Sequence, residues 1–398
     1  MQYILLIYGL LLVSPIVAYI FGGAKFIVLF LLPIIILILL KTKRNIEITW
    51  LIALFISVLF ILVPTFYWQE GRIFAVTIYY FISLILVVIV VEKEVVGFVH
   101  LSTFVLIFLC VGALLSFFYA LLGGAPLWGF PNPDGRENYL YLLSLTNSVW
   151  GGFIRPSAIY DEPGAFSFFI CSVVTLRVLL GFDKKLTWFL ALSGLITFSL
   201  AHIIFFVFFA LSQKVRLKHI LLTVLVCLIF VSIVINLGYY DIFESVFLIR
   251  FELDSDGSFR GDNRSSLMFA ALDLIRQDYS VLLWGLSPES YLNSEEYLTK
   301  SGYPDIGSNP LSPLVRMGIF LSLPYYIVVS LCLVFLLKGR KYMVVFGMGL
   351  LLMQRDYLFV VSYGLVVLLI IKSAFGFNKG ITVGPQVNSV YPSIQSKC

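Results

Sequence analysis

Apolar residues fill this chain in long runs separated by short polar stretches. A helix needs about 20 apolar residues to cross the hydrocarbon core. Runs of that kind read at about 2–21, 24–40, 46–66, 72–91 and 98–122. A polar stretch covers 123–162, and another span follows at about 164–181. Segment 187–212 is apolar but flanked by cations, with Lys184 and Lys185 before it and Lys214, Arg216 and Lys218 after it. Short loops rich in Lys and Arg favour the cytoplasm. Two short helices with an apex at Ser199–His202 keep both clusters inside, where one crossing would not. The run 219–237 is one more span, and a second polar stretch covers 238–317. The span at 318–337 ends at Lys338, Arg340 and Lys341. Segment 342–371 is too long for one crossing, and Gln354-Arg355-Asp356 interrupts it, which predicts a second short hairpin. Residues 376–398 read as a disordered cytoplasmic tail.

The pattern predicts an all-α integral membrane protein of about 12 transmembrane helices, two short broken hairpins among them, with two large extracytoplasmic loops. Residues 1–122 supply five helices, 123–162 the first outer loop, 163–237 helices six to nine and 238–317 the second outer loop. Residues 318–375 supply the last three helices. Both termini fall in the cytoplasm.

Composition agrees. Hydrophobic residues make up 60% of the chain and charged ones 12%, and mean hydropathy is +1.01. Soluble domains are near half apolar and a quarter charged. The N-terminus opens straight into an apolar run without a basic leader, so a retained first span is expected. Of five cysteines, Cys110, Cys171, Cys227 and Cys332 lie in apolar runs and Cys398 is terminal. They read as buried thiols rather than a disulfide framework.

The net charge of +5 says little until topology sorts it. Lysines then gather inside. The outward cations are Lys25, Lys300 and the arginines Arg72, Arg136, Arg155, Arg250, Arg260, Arg264, Arg276, Arg316 and Arg355. Topology explains cations inside but not arginine in place of lysine outside. The guanidinium fork suits bidentate grip on phosphate or carboxylate. One reading is an outward site for an anionic substrate; the other is pairing with the loops' own acids.

The first outer loop is rich in aromatics: Trp128, Phe130, Tyr139, Tyr141, Trp150, Phe153 and Tyr160. Aromatic faces stack on sugars, and they also populate membrane interfaces. Pro131, Pro133 and Gly151-Gly152 read as breakers of regular structure. The stretch Arg155-Pro156-Ser157-Ala158-Ile159-Tyr160-Asp161-Glu162-Pro163-Gly164 sets a cation and two acids at the lip of a span, a costly placement unless something uses it. Glu162 before Pro163 fits a helix start, with an acid at the positive end of the helix; it also fits a proton acceptor. In the second loop, Asp262-Asn263 or Ser265 can cap an amphipathic helix over 265–277. Arg264 at its start opposes the helix dipole, a local conflict of the kind found at functional sites. Trp284-Gly285-Leu286-Ser287-Pro288 reads as a turn. The chain has three histidines, no glycine-rich phosphate loop and no His-Glu-x-x-His. No metal site, no cofactor and no nucleic-acid partner is expected. His202 reads either as a pocket residue or as a buried, hydrogen-bonded one.

These pieces resemble the bacterial Wzy-type O-antigen and capsule repeat-unit polymerases, whose architecture is shared with the O-antigen ligases. Four stretches carry the likeness: Arg155 to Gly164; Asp262-Asn263-Arg264 with Leu272–Ile275 and Trp284-Gly285-Leu286; Asn309-Pro310-Leu311 with Gly318-Ile319; and Thr197-Phe198-Ser199. Ligases carry a histidine where this chain has Ser308, which favours polymerase. The family's broken hairpin has an arginine after its serine, where Leu200 and Ala201 stand here. The resemblance implies a GT-C-like fold in the cytoplasmic membrane, with its active site facing outward. It implies inverting, metal-independent glycosyl transfer from an undecaprenyl-pyrophosphate-linked oligosaccharide to a second lipid-linked repeat unit. Implied partners are that lipid, the bilayer, and a chain-length regulator and flippase of the same pathway. Arg155, Glu162 and Arg264 are the implied catalytic residues, with Arg260, Arg316, Asp161, Asn309 and His202 binding substrate. The rival readings are a glycan ligase and a lipid-linked oligosaccharide flippase. A flippase calls for cations deep within spans, and none lies near a span's centre.

Overall fold

A computed structural model of the chain describes residues 1–21, 48–68, 72–131, 137–213, 235–246, 248–252, 264–287, 306–354 and 362–376, with single positions at 225, 228, 229, 232, 233, 302 and 358. The expected span at 24–40, most of that at 219–237, Arg260, and nearly all of the 376–398 tail lie outside them. The described chain is mostly helical. Four of its helical stretches are long and apolar enough to cross a membrane: Trp50–Trp68, Glu92–Leu121, Pro163–Leu180 and Ser312–Lys338.

The first apolar run is not one helix. Helix α1 (Gln2–Leu6) passes into a π-helical turn at Ile7–Leu11 and stops before α2 (Pro15–Phe21). Proline lacks the N–H that would continue the ladder and disfavours helix at the residue before it. Helices α3 (Ile48–Trp68), α4 (Arg72–Ile89) and α5 (Glu92–Leu121) then run up, down and up. α5 starts six residues before the apolar run does. Glu92 and Glu94 favour its positive end, and the Glu94 carboxylate accepts from the Val91 N–H at 3.2 Å.

The expectation of an all-α chain is corrected between α5 and α6. Strands β1 (Trp128–Pro131), β2 (Glu137–Tyr141) and β3 (Ser144–Thr146) form an antiparallel sheet in which Phe130 faces Asn138 and Leu140 faces Leu145. A second hairpin pairs β4 (Val149–Trp150) with β5 (Phe153–Ile154). Aromatic residues fit a pleated, half-buried surface. Gly151, at φ +58°, makes the β4–β5 turn that the Gly-Gly pair had suggested only as a break.

Helix α6 (Pro163–Leu180) is the central strut, with nearly every side chain buried. It ends at Gly181 in the left-handed conformation. Helix α7 (Lys184–Ser193), a 3-10 turn at Gly194–Thr197 and helix α8 (Leu200–Ser212) make a two-helix hairpin against it. The break falls at Gly194–Ser199, a few residues before the expected apex, where Phe198 takes a left-handed φ of +48°. Beyond α9 (Tyr240–Val246), helix α10 (Arg264–Gln277) leads to α11 (Ser280–Trp284). Helix α12 (Ser312–Val334) follows, broken at Gly318. Helices α13 (Met343–Gln354) and α14 (Tyr363–Phe375) close the bundle.

Two ends follow from this connectivity. At one end the C-termini of α4, α6, α8, α12 and α14 gather, and cations satisfy orphan carbonyls at the ends of α4, α6 and α8. Lys372 donates to Val87 O at 2.7 Å and Val90 O at 2.9 Å. Lys341 donates to Leu179 O at 2.7 Å, and Arg340 to Leu211 O at 2.6 Å and Gln213 O at 3.2 Å. Arg177, 1% exposed, joins three helices there: it reaches Thr103 and Thr187 hydroxyls at 2.9 Å and the Asp183 carboxylate at 2.5 Å. At the other end stand the β-strands, the break of the α7–α8 hairpin, and the contact of Trp68 Nε1 with Trp284 O at 3.2 Å.

Candidate functional site

Arg155 follows β5 at this second end. Its chain is pinned on both sides: the backbone N–H donates to Ser148 O at 3.1 Å, and its carbonyl accepts from the Thr146 hydroxyl at 2.7 Å. The guanidinium Nε donates to Thr197 O at 3.1 Å. Thr197 is the last residue of the 3-10 turn, so its carbonyl belongs to the interrupted hairpin rather than to a helix ladder. The sequence offered Arg155 and the Thr197-Phe198-Ser199 break as separate features; the structure joins them by a hydrogen bond.

Two of the four non-glycine residues with positive φ among the described residues flank this joint. Ala158 (φ +53°) is held by its N–H to Ser144 Oγ at 2.9 Å and by its carbonyl to the Leu145 N–H at 2.6 Å. Phe198 is held by packing, its ring 5.2 Å from Phe153 and 5.7 Å from Phe117. Such backbone conformations cost about 1–3 kcal/mol each and gather at functional sites. Here the cost places the Arg155–Glu162 stretch and the hairpin break against one another.

Glu162 is the N-cap of α6 and Pro163 its first residue. The carboxylate does not accept from the helix's own first N–H groups, yet it stands at the positive end of the α6 dipole, where an acid is well placed. Asp161 precedes it, also half-buried. Beneath them Tyr160 is fully buried, stacked on Phe169 at 4.7 Å and Phe166 at 5.9 Å. Burial pushes its phenol above the usual range.

A second group forms where the chain returns to the bundle. Asn309 is buried; its side chain donates to Ile306 O at 2.6 Å and accepts from the Leu311 N–H at 2.8 Å. That is an Asx-type turn that starts α12. Arg316, one turn into α12, donates to Gly307 O at 3.0 Å. Gly285 and Gly318 bring α11 against α12: their φ angles are +79° and +69°, and a Cβ on Gly318 would meet Leu283 O at 2.3 Å. Arg264 is the first residue of α10, whose Ala271 and Leu274 pack with Val281, Ile306 and Val315. So α10, the Asn309 turn and the first turn of α12 that carries Arg316 are elements of one packing unit. Arg155, Asp161 and Glu162 belong to another, built on α5, α6 and the hairpin break. None of Arg155, Asp161, Glu162 and Arg316 is without partners.

His202 lies elsewhere than expected for a ligand contact. It is fully buried inside the hairpin, with Nε2 2.8 Å from Ala191 O and Nδ1 3.0 Å from Ser167 Oγ and 3.3 Å from Cys171 Sγ. It ties α7, α8 and α6 together. Asn309 likewise spends its amide on its own turn. No three His, Cys, Asp or Glu side chains group as a metal site among the described residues. Sequence reading missed Thr146 and Ser144, hydroxyls that fix the Arg155 stretch. Their only sequence signal is small polar residues inside an aromatic loop.

No protein-family model, curated protein or solved structure matches this chain.

Proposed function

We propose that this chain is a membrane-embedded glycosyltransferase that polymerises undecaprenyl-pyrophosphate-linked oligosaccharide repeat units on the outer face of the cytoplasmic membrane. In this reaction an acceptor sugar hydroxyl attacks the anomeric carbon of the donor glycan. The bond from that carbon to the pyrophosphate breaks, and undecaprenyl pyrophosphate leaves with the electron pair. Arg155 and Arg264, supported by Arg260 and Arg316, hold the diphosphate and stabilise its charge as it departs, the electrostatic term that dominates many such sites. Glu162, at the positive end of α6, takes the hydroxyl proton, with Asp161 beside it.

One observation carries the reading: the Arg155 guanidinium is anchored on Thr197 O at the break of a two-helix hairpin, on the stretch that leads into the Asp161-Glu162 start of α6. The anchoring of Arg155 on Thr197 O and of Arg316 on Gly307 O, away from the carbonyls that the lysines cap, supports it. The test is complementation of a strain lacking the gene, with surface glycan length read on gels. Arg155→Ala and Arg264→Ala should each abolish long chains, leave single repeat units on the acceptor, and leave membrane levels of the protein unchanged. Long chains in both variants would refute the assignment. Loss of single units on gene deletion would favour the ligase or flippase reading.

A further inference from the structure

Away from that site, a cavity of ≈ 510 Å³ opens between four helices. Its walls are Trp50, Ala53, Ser57 and Phe60 of α3, Tyr80 and Leu84 of α4, Leu323 to Leu331 of α12, and Leu368 to Phe375 of α14. Its volume lies in the range of pockets that hold small molecules. Two polar groups of the wall meet each other: Ser57 Oγ donates to Ala53 O at 2.8 Å and stands 3.5 Å from the Tyr80 hydroxyl. Apart from these and the Trp50 indole N–H, the side chains of the wall are apolar.

Length and position narrow the occupant. From Trp50 to Phe60 the groove follows α3 for about 15 Å at 1.5 Å per residue. That is half of the roughly 30 Å hydrocarbon core, the depth of one leaflet. The groove reaches the end where cations cap the helices: among its lining residues, Trp50 has its ring centre 5.8 Å from Lys372 Nζ and Phe375 stands beside Lys338. That end of the groove is aromatic, and a cation stands beside its Phe375 wall. Lys338 Nζ lies 4.9 Å from the Phe375 ring centre and 4.5 Å from that of Phe335. Lys338 is exposed and has no hydrogen-bond or salt-bridge partner among the described residues. Basic sites between membrane helices on the cytoplasmic side suit anionic lipid headgroups.

We propose that this groove is a binding site for one anionic phospholipid of the cytoplasmic leaflet. Its acyl chain lies along α3, α4, α12 and α14, and its phosphate meets Lys338. The site is separate from the outward arginine groups and does not depend on the polymerase reading.

The experiment is native mass spectrometry of the full-length protein released from nanodiscs of phosphatidylglycerol and phosphatidylcholine with matched acyl chains. Wild type should retain one phosphatidylglycerol in preference to phosphatidylcholine. Lys338→Gln should cut that preference about fivefold, the effect of one surface cation on anionic-lipid binding, at unchanged thermal stability. Ala53→Phe, which puts a ring in the groove, should reduce adducts of both lipids. The proposal fails if Lys338→Gln keeps the preference, or if both variants bind as wild type does. It also fails if only an added polyisoprenyl phosphate is retained, or if a dimer without lipid replaces the adducts, placing a second copy in the groove.

Discussion

Arg177 and Asp183 form an ion pair whose halves sit in different solvents. The arginine side chain is 1% exposed and the aspartate side chain 53%. Removing one partner of a buried pair costs about 3–5 kcal/mol when the charge left behind is buried. Asp183→Ala leaves that situation: the guanidinium keeps only neutral acceptors, the Thr103 and Thr187 hydroxyls at 2.9 Å and Asp183 O at 3.2 Å. It also removes the cap from Asp183 Oδ1 to the Leu186 N–H, worth about 1 kcal/mol. Those acceptors and the solvent on the aspartate side discount the total to about 3 kcal/mol. Arg177→Met leaves a half-hydrated aspartate instead. Thr103 and Thr187 keep donating to Val99 O and Asp183 O, at 2.7 and 2.6 Å. The loss of charge-assisted bonds is then offset by the arginine's relieved desolvation, and about 1 kcal/mol is expected. Equilibrium unfolding in mixed micelles should therefore rank Asp183→Ala as the more damaging change, although it alters the more exposed residue. Equal losses, or a larger one for Arg177→Met, would refute the reasoning. Acid should act in the same direction. The Leu186 N–H first, and then Arg177, hold the Asp183 carboxyl below its usual range. Its stabilisation is thus complete above the unfolded value of about 3.9 and lost as pH falls through the lower folded one. Asp183→Asn keeps a good cap and should remove this group's share of the acid limb.

Gly318→Ala forces a side chain at φ +69° into Leu283 O; strain of about 1–2 kcal/mol plus the clash should loosen α11 from α12, read as faster hydrogen exchange over 280–286. Normal protection there would show that the two glycines are not a required contact. Lys372→Met strips two acceptors' partner from the end of α4 and should cost about 1–3 kcal/mol, measured by thermal unfolding in detergent. His202→Phe should lower the melting temperature, because Ala191 O and Ser167 lose their partner, while activity per folded molecule persists. A stable but inactive His202→Phe would return His202 to the reaction.

Helix positions were legible because apolar runs and their end signals agree. Pro163 after Glu162, and Gly181 after Leu180, mark α6 at both ends. The break within 187–212 was legible from charge alone, since Lys184 and Lys214 flank one apolar run. The strands were not. Tyr139 and Tyr141 alternate with Asn138 and Leu140 over only five residues, too short to separate a strand from an aromatic interface belt. Nor could spacing show that Arg155 meets Thr197, 42 positions on. A hydrogen bond to a backbone carbonyl leaves no mark on the acceptor's side-chain identity. The same blindness hid Gly285 against Gly318, where each glycine alone looks like a turn or a kink.

The cations at the two ends bear on how a charge map of such a chain is read. Lysine excess at one end is ordinarily taken as a topology signal. Here Lys341 and Lys372 also end helices chemically, by filling carbonyls that the ladder leaves open. A flexible ammonium with three donors suits that task, and the buried Lys372 uses it on two carbonyls at once. The opposite end poses the same structural need at the hairpin break and at Gly307, and there the donor is arginine: Arg155 on Thr197 O, Arg316 on Gly307 O. Carbonyl capping therefore cannot be what separates the two residue types, since both do it. What differs is the rigid planar fork that a capped arginine presents in a fixed orientation. Arg155→Lys tests that difference. Lysine can still reach a carbonyl, so the fold should hold by thermal unfolding. If the proposed function holds, bidentate grip on a diphosphate is lost, and long surface glycan should fall nearly as far as in Arg155→Ala. Full chain length in Arg155→Lys would mean that the outward arginines are caps and nothing more.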